Sequence, residues 1–163
     1  MSDVAIIKIP PTDNPRLESG DYKKLLEVGF DILSGGSGAK MVSSLFSGAV
    51  AALKTNCVTR HFPTQPKMVR ALIELIIDAT GNGENDFIVW DRTNREIKAA
   101  GFDLNASSFG VRHMGTDTNG VDYNPEFYSS GLVNSLVSRI LTDLADVSIN
   151  TPVLKDHSLA GIA

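Results

Sequence analysis

Cysteine is nearly absent from this chain of 163 residues, since Cys57 is the only one. A single thiol allows no internal disulfide, and it cannot supply the four thiolates that hold an iron–sulfur cluster. Cysteine is also among the most frequently buried residue types. We therefore interpret Cys57 as a buried, unreactive side chain, with a reactive thiol as the alternative.

The sequence also lacks a long apolar run and an excess of basic residues. No segment approaches the roughly 20 apolar residues that a membrane-spanning helix needs, and no charged-then-apolar export signal opens the chain. The net charge of −4 argues against a nucleic-acid partner, because proteins that bind nucleic acids normally carry a stripe of basic residues. The location stays open: cytoplasmic if the chain is complete as given, exported if a signal has been removed.

Hydrophobic periodicity predicts alternating strands and helices in a chain of ordinary globular composition, with 42% hydrophobic and 21% charged residues. The predicted strands are residues 4–9, 49–53, 87–90, 111–114 and 147–149. The predicted helices are residues 21–33 with Asp21 as N-cap, 39–46, a long helix that Pro66 opens and Gly81 closes, 93–100 and 132–144. Apart from the brief strand, residues 102–131 are predicted to be a long loop.

A strand, a helix and a second strand in this order predict parallel pairing. The expected fold class is α/β, with a mostly parallel sheet and helices on both faces in a Rossmann-like, three-layer arrangement. A length of 163 residues fits one domain, so we expect residues 1–163 to form a single α/β domain. We also expect it to be the first domain of a longer protein, truncated at its C-terminal end, so that the remaining chain is one of its partners.

Polar residues gather at the C-terminal ends of three predicted strands. The three clusters are Lys54, Thr55, Asn56, Thr59, Arg60 and His61; Asp91, Arg92, Thr93, Asn94 and Arg95; and Asn150, Thr151, Lys155, Asp156 and His157. Ligands of parallel α/β sheets bind outside the carboxyl ends of the strands, so neighbouring strands would bring the clusters to one rim. The cations Lys54, Arg92, Arg95 and Lys155 suit a small anionic ligand such as a carboxylate or phosphate. The alternative is that these are solvated loops.

The candidate site residues fall into two groups. The ligand-binding candidates are Lys54, Asn56, Arg92, Asn150 and Lys155. The catalytic candidates are Asp91, which would bind a metal or orient a base, and His157, which would transfer protons or ligate a metal.

The alternative role for Asp91 is to cap the following helix, and for His157 to cap the terminal segment. His61, His113 and His157 are scattered without metal-binding spacing, which argues against a structural zinc site. Cofactor and metal identity stay open. One hypothesis is that the chain is part of a metal- or cofactor-dependent enzyme on small acids. The other is a non-catalytic binding or redox-partner module.

Three segments resemble the family called Domain of Unknown Function 362. They are Ala-Leu-Lys-Thr-Asn at 52–56, Ile-Val-Trp-Asp-Arg-Thr-Asn-Arg at 88–95, and Ile-Asn-Thr-Pro-Val-Leu-Lys-Asp-His-Ser-Leu-Ala-Gly at 149–161. The function of that family is unknown, and the resemblance implies a bacterial-type protein that continues past its Leu-Ala-Gly motif. Some family members are iron–sulfur proteins with separate ferredoxin-like cysteines, which this sequence does not contain.

The segment at 157–162, His-Ser-Leu-Ala-Gly-Ile, is also similar to a His-x-x-Ala-Gly-Phe segment of the nickel-dependent lactate racemase family. In that family the histidine serves the cofactor site, and a lysine further along the chain anchors the nickel cofactor. The resemblance implies a cofactor role for His157, with the lysine position beyond Ala163.

Overall fold

The computed structural model describes residues 3–9, 17–59, 61–157 and 161–162. The chain divides into two compact units, Met1–Gly48 with Lys67–Gly83, and Ala49–Pro66 with Glu84–Ala163. None of the helices in the described part is both long and apolar enough to cross a membrane. The interpretation of residues 1–163 as one domain stays a prediction.

The first unit contains helices α1 (Ser19–Ser34), α2 (Gly38–Phe46) and most of α3 (Pro66–Thr80). All three were predicted, but Asp21 as N-cap is wrong. Glu18 is the N-cap of α1, and Asp21 lies three positions later, where its carboxylate accepts the Glu18 backbone N–H at 3.0 Å. The Glu18 side chain in turn accepts the Asp21 backbone N–H, so the two residues form a capping box. A capping box places its second acidic residue three positions after the N-cap, which is why Asp21 lies inside the helix.

The predicted strand at residues 4–9 is wrong, because residues 3–9 form neither a helix nor a strand. The alternation of apolar side chains along this segment has another cause. Ala5 and Ile7 are half-buried and line a groove with the apolar face of α1, while Val4 and Ile6 are exposed. Alternating apolar residues therefore pack on a helix here, and no strand within the described residues pairs with this segment.

The second unit contains a four-stranded sheet formed by β1 (Ala51–Lys54), β2 (Phe87–Asp91), β3 (Arg112–Gly115) and β6 (Val147–Asn150). Its order is β3-β2-β1-β6, and every neighbouring pair is parallel. Helix α4 (Asn94–Ala99) packs against β2 and β3. The predicted α/β fold with a mostly parallel sheet is confirmed.

One face of this sheet carries a compact hydrophobic cluster. Its buried members are Ala52, Ile88, Trp90, Met114, Val121 and Ile140. Ile140 belongs to a short π-helical turn (Ile140–Leu144), and Leu141 and Leu144 of the same turn pack against the cluster. The apolar residues at the end of the predicted helix therefore do cover the sheet.

The rest of the predicted helix at 132–144 is wrong, and so is the predicted loop over 102–131 where it covers residues 123–130. Strands β4 (Tyr123–Ser130) and β5 (Val133–Ser138) form an antiparallel hairpin with a two-residue connection, Gly131 and Leu132. Gly131 has φ +60°, and glycine at the first position of a two-residue connection favours a hairpin turn. Strands β7 (Asp156–His157) and β8 (Gly161–Ile162) also pair with each other, in antiparallel orientation.

Gly115, at the end of β3, has no room for a side chain. A Cβ built there would lie 2.3 Å from the backbone nitrogen of Asn94 and 2.5 Å from the carbonyl carbon of Thr93. We expect Gly115→Ala to lower the free energy of unfolding by roughly 1–3 kcal/mol, because the start of α4 must move.

Urea unfolding of the parent and variant measures this loss. Gly20→Ala in α1 is the control, because nothing lies within 4 Å of the added Cβ. Equal losses in both variants would contradict the close approach at Gly115.

Candidate functional site

The carboxyl ends of β2, β1 and β6 lie side by side. Lys54 is in register with Trp90 on one side and with Asn150 on the other, and all three strands run in the same direction. The polar segments that follow them therefore leave from one edge of the sheet, as the sequence predicts. We call this edge, formed by residues 54–57, 91–92 and 150–155, the strand-end rim.

An ion pair between a partly exposed lysine and a buried carboxylate lies at the centre of the rim. The Lys54 Nζ is 2.6 Å from Oδ1 of Asp91, whose side chain is 2% exposed, while a third of the Lys54 side chain is exposed. The same ammonium donates to the Thr55 carbonyl at 2.6 Å and lies 5.4 Å from the centre of the Trp90 ring, within the range of a cation–π contact. These three contacts hold the charged end of Lys54 in one place.

The Asp91 carboxylate also binds the backbone of both loops that leave β1 and β2. Its Oδ2 accepts the Cys57 N–H at 2.6 Å, and its Oδ1 accepts the Arg92 N–H at 2.7 Å. A buried carboxylate needs such donors, because desolvation without partners is costly. Helix α4 is capped instead by Thr93, whose hydroxyl accepts the Glu96 N–H at 3.3 Å. The capping role considered for Asp91 is therefore wrong.

A second network joins the loop after β1 to the segment after β6. The buried Thr64 hydroxyl accepts the Asn56 N–H at 2.8 Å and donates to the Thr151 carbonyl at 2.7 Å. The Thr151 N–H in turn donates to the Lys54 carbonyl at 2.8 Å. The Lys155 Nζ donates to the side-chain oxygen of Asn56 at 2.7 Å. This network brings Lys155 to the rim.

The Arg92 side chain turns toward α4, where its guanidinium pairs with Glu96 one helical turn away. The hydrogen bonds from Arg92 are the largest cause of a lowered pKa for the Glu96 carboxyl. Glu96 is buried and Arg92 is 59% exposed along its side chain. Arg92 thus lies next to Asp91 in sequence, with its charge already balanced by a carboxylate.

The structure brings the predicted residues together unevenly. Lys54 contacts Asp91, and Asn56 contacts Lys155. Three predicted residues are exposed and make no side-chain hydrogen bond to another residue of the described part of the chain: Thr59 and His61 in the loop after β1, and Asn150 at the end of β6.

Other predicted residues serve the fold or are described only in part. Asn94 accepts the Gly115 N–H at 2.9 Å and donates to the Thr118 hydroxyl at 2.9 Å, while Arg95 is exposed on α4. Arg60 and the side chains of Asp156 and His157 lie outside the described residues. The backbone of His157 pairs with Gly161.

Sequence reasoning missed two contributors to this site: the Cys57 backbone in the rim, and Thr64, whose hydroxyl joins two segments of the rim. A threonine two residues before a helix-opening proline suggests only a turn or cap, and no pattern shows that its hydroxyl is buried between two strand ends. Within the described residues, no group of three or more His, Cys, Asp and Glu side chains could hold a metal ion. Two cavities of about 290 and 270 Å³ lie in the first unit, and the rim contributes no residue to either.

Cys57 is buried, as the sequence predicts, with 1% exposure. Burial raises the pKa of its thiol to about 11, and the nearby Asp91 charge adds to the increase. The Thr55 hydroxyl lies 3.2 Å from the sulfur. Because the thiolate is the reactive form, the folded chain should keep Cys57 protonated and unreactive near neutral pH.

We expect iodoacetamide to label native Cys57 at pH 8 roughly 100-fold or more slowly than the unfolded chain, since a pKa near 11 leaves few thiolates and burial blocks access. Mass spectrometry of the chain with and without denaturant gives the two rates. Labelling that is equally fast in the native chain would contradict a protonated, buried thiol.

A search of curated proteins and a search of solved structures found no match. A family model described as "Domain of unknown function (DUF362)" matches residues 51–163. The match begins at the first residue of β1 and spans β2, α4, the β4–β5 hairpin and the segment that carries Lys155. It covers well over half of the chain and includes every strand of the rim. The chain therefore belongs to the DUF362 family of domains of unknown function.

Proposed function

We propose that the second unit binds a small anion, a carboxylate or a phosphate group, at the strand-end rim. The observation that carries this proposal is the state of Lys155. Its ammonium is half-buried and donates to the neutral amide oxygen of Asn56, and it has no carboxylate partner among the described residues. A cation held by a neutral group keeps its charge for an incoming anion.

Lys54 supplies a second ammonium at the same rim. Asp91 and the Trp90 ring fix its position while a third of its side chain stays exposed. A donor that is already ordered loses little side-chain entropy when a ligand arrives. Asp91 is too deeply buried to meet a ligand on the solvent side, so we assign it the role of positioning Lys54. Asn150 and the exposed part of Arg92 would form the outer wall of the site.

Two finer functions extend this proposal. In the first, the unit is part of a metal- or cofactor-dependent enzyme on small acids, with His157 transferring a proton, in line with the resemblance of residues 157–162 to the lactate racemase segment. In the second, it is a non-catalytic binding or redox-partner module. The burial of Asp91 and the protonated state of Cys57 favour the second, since neither side chain is free to act as a base or nucleophile.

We expect Lys155→Met to weaken the binding of inorganic phosphate or lactate about 10-fold or more, because a hydrogen bond to a charged group contributes roughly 1.5–3 kcal/mol. Isothermal titration of the full chain at low ionic strength measures the affinity. Lys98→Met is the control, because Lys98 is an exposed lysine on α4. The proposal would be contradicted if the parent chain bound neither anion at millimolar concentration. It would also be contradicted if the two variants bound the anion with equal affinity.

A second substitution separates the two finer functions. In the binding module, His157→Ala should keep the anion affinity within about twofold, since Lys54 and Lys155 supply the charge. Titration and metal analysis of the parent and the variant test this. A tenfold weaker affinity, or a metal lost from the variant, would favour the enzyme.

A further inference from the structure

The β4–β5 hairpin, residues 123–138, exposes an unusual amount of apolar surface. We call it the arm. Its exposed large side chains are Tyr123 (42%), Phe127 (70%), Tyr128 (46%), Leu132 (102%), Val133 (67%) and Leu136 (39%). Glu126 is its only charged residue, and residues 127–136 contain neither a charge nor a proline. Contiguous exposed apolar surface of this kind marks an interaction site.

The arm is fastened to the second unit at its base. Ser138 is buried and shares a hydrogen bond of 3.0 Å with the Thr116 hydroxyl, and the Arg139 N–H donates to the Asp122 carbonyl at 3.1 Å. Beyond the base, the strands are exposed along almost their whole length. A two-stranded hairpin without a covering layer is only marginally stable in water, so the arm needs a partner surface.

The free edges of the arm lack the usual protection at its outer end. Among the described strands, β4 and β5 pair only with each other. Proteins commonly protect such edges with charges, proline or a bulge. The arm has Pro125, Glu126 and a register shift between Tyr123 and Phe127, all near its base. From Phe127 outward the edge remains open for contact.

Apolar side chains occupy both faces of the arm. Phe127 lies opposite Leu136 on one face, while Tyr128 and Val133 lie on the other face, opposite Ser135 and Ser130. Strands that are apolar on both faces are typical of positions covered on both sides. A partner that grips the arm from two sides fits this pattern better than a flat docking surface.

We infer that the partner is a second copy of this chain, and that each copy covers both faces of the other copy's arm. Each of the six exposed side chains would present roughly 150–200 Å² if fully exposed, and at their actual exposures the two faces of one arm together present on the order of 600 Å². Covering both arms therefore buries on the order of 1,200 Å² of arm surface, the lower limit of a standard stable interface. Although the whole chain carries a net charge of −4, the outer arm is uncharged, so it brings no like charges into a two-fold contact.

Light scattering coupled to size-exclusion chromatography tests the inference on the full chain. We expect a dimer that dissociates on dilution, with a dissociation constant of order micromolar. The double variant Leu132→Glu and Val133→Glu should be monomeric at the same concentrations, because it places like charges in the contact. Both positions are largely exposed, and matching circular dichroism and thermal midpoints would show that the variant is folded.

The matched control is Phe109→Glu, since Phe109 is 80% exposed outside the arm, and it should dimerise like the parent. A parent chain that is monomeric at about 200 μM overturns the inference, because the arm would then be covered by a different partner. A double variant that dimerises as tightly as the parent overturns it as well, because the contact would lie elsewhere.

Discussion

The buried carboxylate of Asp91 holds the strand-end rim together. It accepts hydrogen bonds from the Lys54 ammonium and from the backbone N–H groups of Cys57 and Arg92. The backbone carbonyl of Asp91 also accepts the Thr116 N–H at 3.0 Å. One residue thus connects the segments that leave β1, β2 and β3. Removing the carboxylate would leave the Lys54 ammonium and two backbone N–H groups without an acceptor in a region of low solvent access. The resulting loss of folding free energy would exceed the contribution of any single hydrogen bond.

The charge that remains at the rim follows from how the other charges are matched. Lys54 faces Asp91 and Arg92 faces Glu96, so both pairs are neutral. Lys155 reaches the rim through the bonds that join Asn56, Thr64 and Thr151, and its partner is a neutral amide. Among the side chains that the structure describes at the rim, the positive charge of Lys155 therefore has no carboxylate partner and lies beside the ordered Lys54, and the proposed anion site depends on this unbalanced charge.

Much of the fold could be predicted because its signals are local. The strands at 51–54 and 87–91 are short apolar runs, and each helix of the first unit has its own apolar face and end signals. The rim clusters were found for the same reason, since polar residues directly follow these runs. Two of the errors, at residues 4–9 and 132–144, arise where apolar spacing fits more than one partner. Ala5 and Ile7 of the first segment line a groove with a helix, and the second segment is divided between a hairpin and a π-helical turn.

The sequence by itself determined which segments are apolar enough to be strands and which polar residues follow them. It also determined that the chain contains a single thiol, Cys57. Only the tertiary structure decided which polar residues meet. Asp91 contacts Lys54 across 37 positions, and Lys155 contacts Asn56 across 99. Such pairs depend on strand order and register, which are fixed by the packing of whole elements. The order of strands and helices predicts that strand ends share one edge of the sheet, but spacing along the chain does not determine which side chains come into contact there.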